Sequence, residues 1–445
     1  MNTQRLLVII ASAVLLLPGV AAENVADKES ENYWPQWRGP LGSGVAPHAD
    51  PPVEWSESKN IRWKISLPGK GHSTPVIWGK RIFLTTAVPY GDELEPVRVT
   101  SKGAHDQVPV MHRYRFVVMA INRRDGKILW QKTVLEGLPH EGGHVTASLA
   151  SASPITDGER LFAYFGSWGL YCLDLDGNVK WQTDFGAMHP LHAHGEGSSP
   201  ALYKDTLVVN WDHEGPSFLV ALDKRTGKER WKVERERASS WTTPIIVESN
   251  GRPQVIVSGS QRIRGYDLAR GKVIWECGGL SIENVCATPA AGSGIVYAGS
   301  TYDKRGVLAI RFEGAEGDVT GTKRVVWTRS RAAPYVPSFL LYDGSLYYHY
   351  HFQGILSRVD ALTGADQPGP FRLRGIRNVF ASPIGAAGRV YISDLSGSTI
   401  VLRNAAKTEV LALNHLDDSF AASPVAAGNE LYLRGAMHLY CIADK

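Results

Sequence analysis

Four cysteines in 445 residues are too few for a disulfide framework. Charge of one sign is also missing: 48 basic residues face 44 acidic ones, and no long block of either interrupts the mixture. That balance excludes a polybasic nucleic-acid groove or membrane patch. No apolar run reaches the roughly 20 residues that a membrane-spanning helix needs. The longest, Leu6 to Leu17, follows Arg5 and ends at Pro18 and Gly19, with Val20, Ala21 and Ala22 behind it. Residues 1–22 therefore read as a secretory signal peptide cleaved after Ala22, and the absence of a following Cys argues against a lipid anchor. The expected protein is soluble and periplasmic or secreted.

What is abundant is turn and aromatic chemistry: 45 Gly, 25 Pro and 13 Trp. Prolines recur at Pro75, Pro154, Pro200, Pro244, Pro289, Pro337, Pro383 and Pro424, spaced 79, 46, 44, 45, 48, 46 and 41 residues apart. Each opens a short apolar segment followed by two alternating segments, an Asp- and Gly-containing turn and a Trp segment. Spacing near 45 residues is that of a four-stranded propeller blade. Between Ser199 and Val233 the pattern is clearest: SSPALY, TLVVNW, SFLVAL and ERWKV read as four strands. In the last turn Asp223 accepts backbone N–H bonds and Gly227 supplies a positive φ. Trp63, Trp130, Trp181, Trp231, Trp275 and Trp327 are the repeated structural indoles. Eight starts predict an all-β, eight-bladed propeller of four-stranded antiparallel blades. The last unit has room for only three strands, and NIRWKISL carries an orphan Trp strand, so a strand near Trp63 is expected to close blade eight.

The run from Ala221 to Trp231, ALDKRTGKERW, matches the repeat A-x-D-x-x-T-G-K-x-x-W of the propellers named for pyrroloquinoline quinone (PQQ). Partial copies stand at Asn122–Trp130, Asp174–Trp181 and Asp267–Trp275, and Asp360, Thr363 and Gly364 keep the turn, with Phe371 at the Trp position. The chain thus resembles the PQQ-like repeat superfamily, which holds both the BamB-like assembly factors and the quinoprotein alcohol dehydrogenases. With its WPQWRGP arm, PPVEW and the Trp63 strand it also resembles the start of uncharacterised exported bacterial members. The first relationship implies loops presented to protein partners; the second implies PQQ stacked over calcium.

Three regions are expected: the signal peptide, an arm over 23–60 bearing WPQWRGP and PPVEW, and one propeller over 61–445 with an insert near 87–114 in blade one. Histidines concentrate on one face, in the crossings between blades and the loops between second and third strands. His140 and His144 lie before blade two, His189, His192, His194 and Glu196 before blade three, and His213 within it. His105 and His112 in the insert open on the same face, and His349 and His351 lie across the ring. Imidazoles in that number are candidate ligands for a transition metal, although HEGGH and HPLHAHGE are not established metal signatures. No catalytic residue is assigned. Adjacent cysteines, a haem motif and a calcium ligand set are all lacking, so PQQ and calcium are not expected. The favoured reading is a monomeric binding or scaffold module with a protein or cell-envelope partner and no nucleic acid. The alternatives are a PQQ-dependent dehydrogenase or a metal-dependent enzyme using the His-rich face. Cys172 and Cys441 occupy equivalent third-strand positions, whereas Cys277 and Cys286 could pair or remain free.

Overall fold

The computed structural model describes residues 28–97, 101, 103–368 and 371–444, so the expected signal peptide over 1–22 and the first residues of the expected arm lie outside the described residues. Eight antiparallel blades form a closed propeller. Blade three is representative, with strands Ala201–Tyr203, Thr206–Trp211, Phe218–Asp223 and Glu229–Glu234 running from the channel outward. Its two central strands are almost wholly buried, because the sheet is covered on both faces by its neighbours. Apolar clusters accordingly lie between blades, as where Phe162 and Cys172 of blade two meet Leu207 and Val209 of blade three.

Blade eight closes as its sequence implies. Its outer strand, Ile61–Ser66, pairs antiparallel with His438–Ile442, with Trp63 opposite Cys441. Residues from near both ends of the described chain thereby share one sheet, and no edge is left open in the ring.

Two devices bind blade to blade. In the first, each outer indole stacks on the positive-φ glycine of the next blade's turn and donates its N–H to a carbonyl there. Trp63 serves Gly126 and Arg123, Trp130 serves Gly177 and Leu175, Trp181 serves Gly227 and Lys224, Trp231 serves Gly271 and Leu268, and Trp327 serves Gly364 and Ala361. Trp275 departs from the pattern, donating to Gln254 Oε1 within its own blade at 2.9 Å. The turn of blade five is longer than its neighbours', and its Gly317–Asp318 segment pairs in parallel with the outer strand of blade four, where a glycine turn would otherwise sit.

The second device is a circle of hydroxyls at the channel. The backbone N–H of Thr74 donates to Ser153 Oγ, that of Ser153 to Ser199, and so on through Thr243, Thr288, Ser338, Ser382 and Ser423, whose N–H returns to Thr74. In seven blades the hydroxyl residue precedes the blade's proline. Blade six differs: Ser338 follows Pro337, and Phe339 holds the place a proline takes elsewhere. The repeat is therefore marked by the hydroxyl, and proline follows it because its N–H would have no ladder partner there.

The arm crosses the face opposite the His-rich crossings. Thr156 N–H of blade two donates to Pro35 O, Trp34 pairs with Ile77 of blade one, and Arg38 donates to Phe339 O of blade six at 2.6 Å. Val45–Ala46 then adds a parallel strand to blade seven. In blade one, part of the excess expected as insert is strand: Arg81–Tyr90 and Arg113–Asn122 pair along ten positions, and the connecting loop is confined to 91–112. All four cysteines are free thiols, with Cys277 and Cys286 each donating to a nearby backbone carbonyl.

Candidate functional site

The loop of blade one is fastened over the next two crossings. Gln107–Val108 pairs with Gly143–His144, Val145 N–H donates to Asp106 O, and Gln107 Nε2 donates to His192 O at 3.0 Å. Three segments distant in sequence therefore present their histidines at one place.

The candidate histidines sort into two groups. In the first, the His105, His144 and His194 rings lie 5.1 to 5.6 Å apart between centroids, with His192 5.3 Å from His194. Asp106 Oδ2 stands 3.3 Å from His105 Nδ1 and 3.9 Å from His144 Nε2. His144 Nδ1 faces the Thr146 hydroxyl at 2.8 Å and the Thr146 amide at 3.2 Å. Burial, together with the neighbouring imidazoles His144, His192 and His105, pushes His194 down to about 4. Its Nε2 is buried without a hydrogen-bond partner among the described residues. Burial also lowers His144, with His105 adding to the effect and Asp106 opposing it.

In the second group His140 and His189 are 5.5 Å apart, and Glu141 Oε2 is 3.6 Å from His189 Nδ1. His140 Nε2 donates to Met188 O at 2.8 Å, and the Trp168 ring lies tilted against it at 5.0 Å. His213 adjoins this group, but both its nitrogens are taken. Nδ1 accepts from the amides of His189 and Gly215, and Nε2 donates to Pro216 O. Glu196 joins neither group as a ligand. Its carboxylate accepts from the Ser167 amide at 2.7 Å and the Ser167 hydroxyl at 2.5 Å, and burial raises it to about 7. Gly166 is obligatory beside it, because a Cβ there would lie 1.4 Å from Glu196 Oε2.

A cavity of about 670 Å³ occupies the ring centre. One wall carries His105, His144, His194 and Trp241; the other carries Tyr335, His351, Phe352 and Phe380; Trp37 of the arm also lines it. The second wall is continuous aromatic surface: Tyr335 lies 4.6 Å from His351, His351 4.4 Å from Phe352, and Phe352 stacks on Phe380 at 5.6 Å. His349 is not on this surface but fully buried behind it. A side pocket of about 130 Å³ holds Trp168, Glu141, Glu196 and Trp241.

Sequence reasoning passed over Asp106 and Glu141. Each directly follows a histidine of the face, as His105-Asp106 and His140-Glu141, and that adjacency was the available signal.

With this geometry in view, comparison with known proteins is informative. The profile of the family described as outer membrane protein assembly factor BamB matches residues 115–368. Among solved structures, BamB from Moraxella catarrhalis is 13% identical, superposes with a TM-score of 0.53, and covers 81% of this chain and 97% of its own. Quinohemoprotein alcohol dehydrogenase from Comamonas testosteroni is 9% identical at a TM-score of 0.59, with 93% and 81% covered. A quinohemoprotein alcohol dehydrogenase from Pseudomonas putida HK5 is 10% identical at 0.56, with 93% and 80% covered. At such identities the likeness is one of fold. No curated protein sequence matches the chain.

Proposed function

Because the chain belongs to the family described as outer membrane protein assembly factor BamB, we propose that it is an exported, monomeric propeller whose His-rich loop face binds a protein or cell-envelope partner. The observation that carries this reading is the central cavity, in which an imidazole wall and an aromatic wall face each other across about 670 Å³. Rings held rigid by their neighbours offer large contact area at low entropic cost, and the imidazoles opposite offer hydrogen bonds of either sense. A partner segment inserting between them would meet apolar and polar surface together.

Affinity capture with crosslinking from a periplasmic extract tests the proposal. Wild-type protein should recover a partner that a Tyr335→Ala plus Phe352→Ala variant loses. A Lys228→Ala variant, altered in an exposed outer turn of blade three, should keep it. Equal recovery by all three proteins would show that the cavity is not the binding surface.

A quinone fits this opening poorly. PQQ carries three carboxylates, and no Arg or Lys lines the cavity among the described residues. Of the two carboxylates there, Glu196 is already committed to Ser167, which leaves Asp106 alone as a hard ligand for calcium. Adding PQQ with calcium and following dye reduction should give no turnover, and turnover would overturn the binding-module reading.

A further inference from the structure

We propose that His105, His144 and His194 form a tri-histidine site for a divalent transition ion of the zinc type, with Asp106 as fourth ligand, at the mouth of the central cavity. The site does not depend on the binding role above, and its failure would leave that role standing.

The argument is geometric. Imidazole nitrogens bind such an ion at roughly 2.0–2.1 Å, and in a tetrahedron this puts donor atoms about 3.3 Å apart and ring centroids about 5 Å apart. The three rings here are separated by 5.1, 5.3 and 5.6 Å between centroids. The Asp106 oxygen stands 3.3 Å from one imidazole nitrogen and 3.9 Å from another, and the His105, Asp106 and His144 donors all lie within 4.8 Å of one another. The His105, Asp106 and His144 donors are thus already close enough to share an ion, and His194, whose ring stands beside them, would have to turn a nitrogen toward them to complete the set.

Two further features fit, and one constrains the site. The Thr146 amide donates to His144 Nδ1 at 3.2 Å, which places the ring proton on Nε2, and this hydrogen bond must break before Nε2 can ligate. His194 Nε2 is buried and makes no well-formed hydrogen bond among the described residues, its polar neighbour being the Asn284 amide, so a ligand there would satisfy a group the fold leaves poorly paired. The backbone holding these residues is braced by the ladder between Gln107–Val108 and Gly143–His144 and by the Gln107 bond to His192 O. Three imidazole donors and a carboxylate favour zinc, copper, nickel or cobalt over calcium or magnesium.

The second group, His140, Glu141 and His189, offers only two imidazoles, one with Nε2 already donating to Met188 O. It serves as the internal control.

Tag-free protein, stripped with chelator, is titrated with Zn²⁺ by calorimetry, and Co²⁺ loading is followed by visible absorption. One equivalent should bind with a dissociation constant in the micromolar range or tighter, and Co²⁺ should show a four-coordinate spectrum. His105→Ala, whose ring is exposed, should weaken Zn²⁺ binding at least tenfold without changing the melting temperature. His105→Ala plus His194→Ala should abolish it, and His140→Ala plus His189→Ala should leave it unchanged. Absence of binding by the parent overturns the site, as does binding that survives loss of His105 and His194 or that disappears with His140 and His189.

Discussion

The backbone N–H of Ser423 donates to Thr74 Oγ1 at 3.2 Å, and with that bond the eighth blade is joined to the first. The other seven links of the circle repeat it between successive blades at 2.9 to 3.0 Å. Every donor residue in it is buried at the channel, so a lost acceptor leaves a buried amide to be satisfied. Thr74→Val keeps the shape of the side chain and removes the oxygen, leaving the Ser423 amide unsatisfied at a cost of about 1–3 kcal/mol. Thr74→Ser should recover most of it. Urea unfolding of the three proteins measures both effects, and a Val variant as stable as the parent would mean that the circle contributes nothing.

The indole and glycine device predicts unequal effects from two glycines of similar backbone. Gly227 and Gly388 both have φ of +70, but a Cβ on Gly227 would lie 2.6 Å from the Trp181 ring, whereas one on Gly388 meets nothing within 4 Å. Gly388→Ala should lose about 1 kcal/mol from the left-handed backbone alone. Gly227→Ala should lose about 1–3 kcal/mol more, because the indole must lift off and weaken its bond to Lys224 O. Matched melting curves decide this, and equal losses would show that the indole contact is dispensable.

The blade count and the closing strand were readable because they rest on local chemistry: a turn that needs Asp223 and Gly227, and an indole at a fixed distance from it. Trp275 looked like its siblings, since nothing near it announces that the distant Gly317–Asp318 segment takes the place of a glycine turn. The same limit applies to the site. A face rich in histidine could be inferred from blade topology, but its division into two groups could not, because it depends on a loop of blade one pairing with a crossing 36 residues beyond it. His213 illustrates the point: its neighbours in sequence mark it as a candidate, yet its own loop occupies both nitrogens.

Closure by the strand at Trp63 has its own test. Trp63 is buried, packs on Gly126 and Tyr432, and donates to Arg123 O at 3.1 Å, so it belongs at once to the last blade and to the contact with the first. Trp63→Ala should cost about 3–5 kcal/mol. Removing residues 61–67 should expose the edge of His438–Ile442 and cause aggregation. Light scattering and thermal melts follow the two outcomes, and a deletion that stays soluble with an unchanged melting temperature would refute closure by this strand.

His349 sets a pH dependence that can be isolated by one substitution. It is fully buried at the end of a central strand of blade six, with Nδ1 donating to Gln353 O at 3.1 Å and Nε2 unpartnered among the described residues. Burial pushes it down to about 4, against the pull of the Gln353 carbonyl in the other direction. The unfolded chain takes up a proton at this residue as pH falls through about 6.5, whereas the folded protein does so only near 4. The unfolded state therefore binds more protons across that interval, and stability present above pH 6.5 is progressively lost as pH falls toward 4. At pH 5 the loss from this residue alone is about 2 kcal/mol. His349→Asn places an amide N–H near the position of Nδ1, keeps the bond to Gln353 and cannot titrate. Between pH 7.5 and 5 the variant should lose about 2 kcal/mol less stability than the parent, all other histidines being common to both. Urea midpoints at the two pH values give the difference, and parallel losses would show that His349 is protonated in the fold as readily as in the unfolded chain.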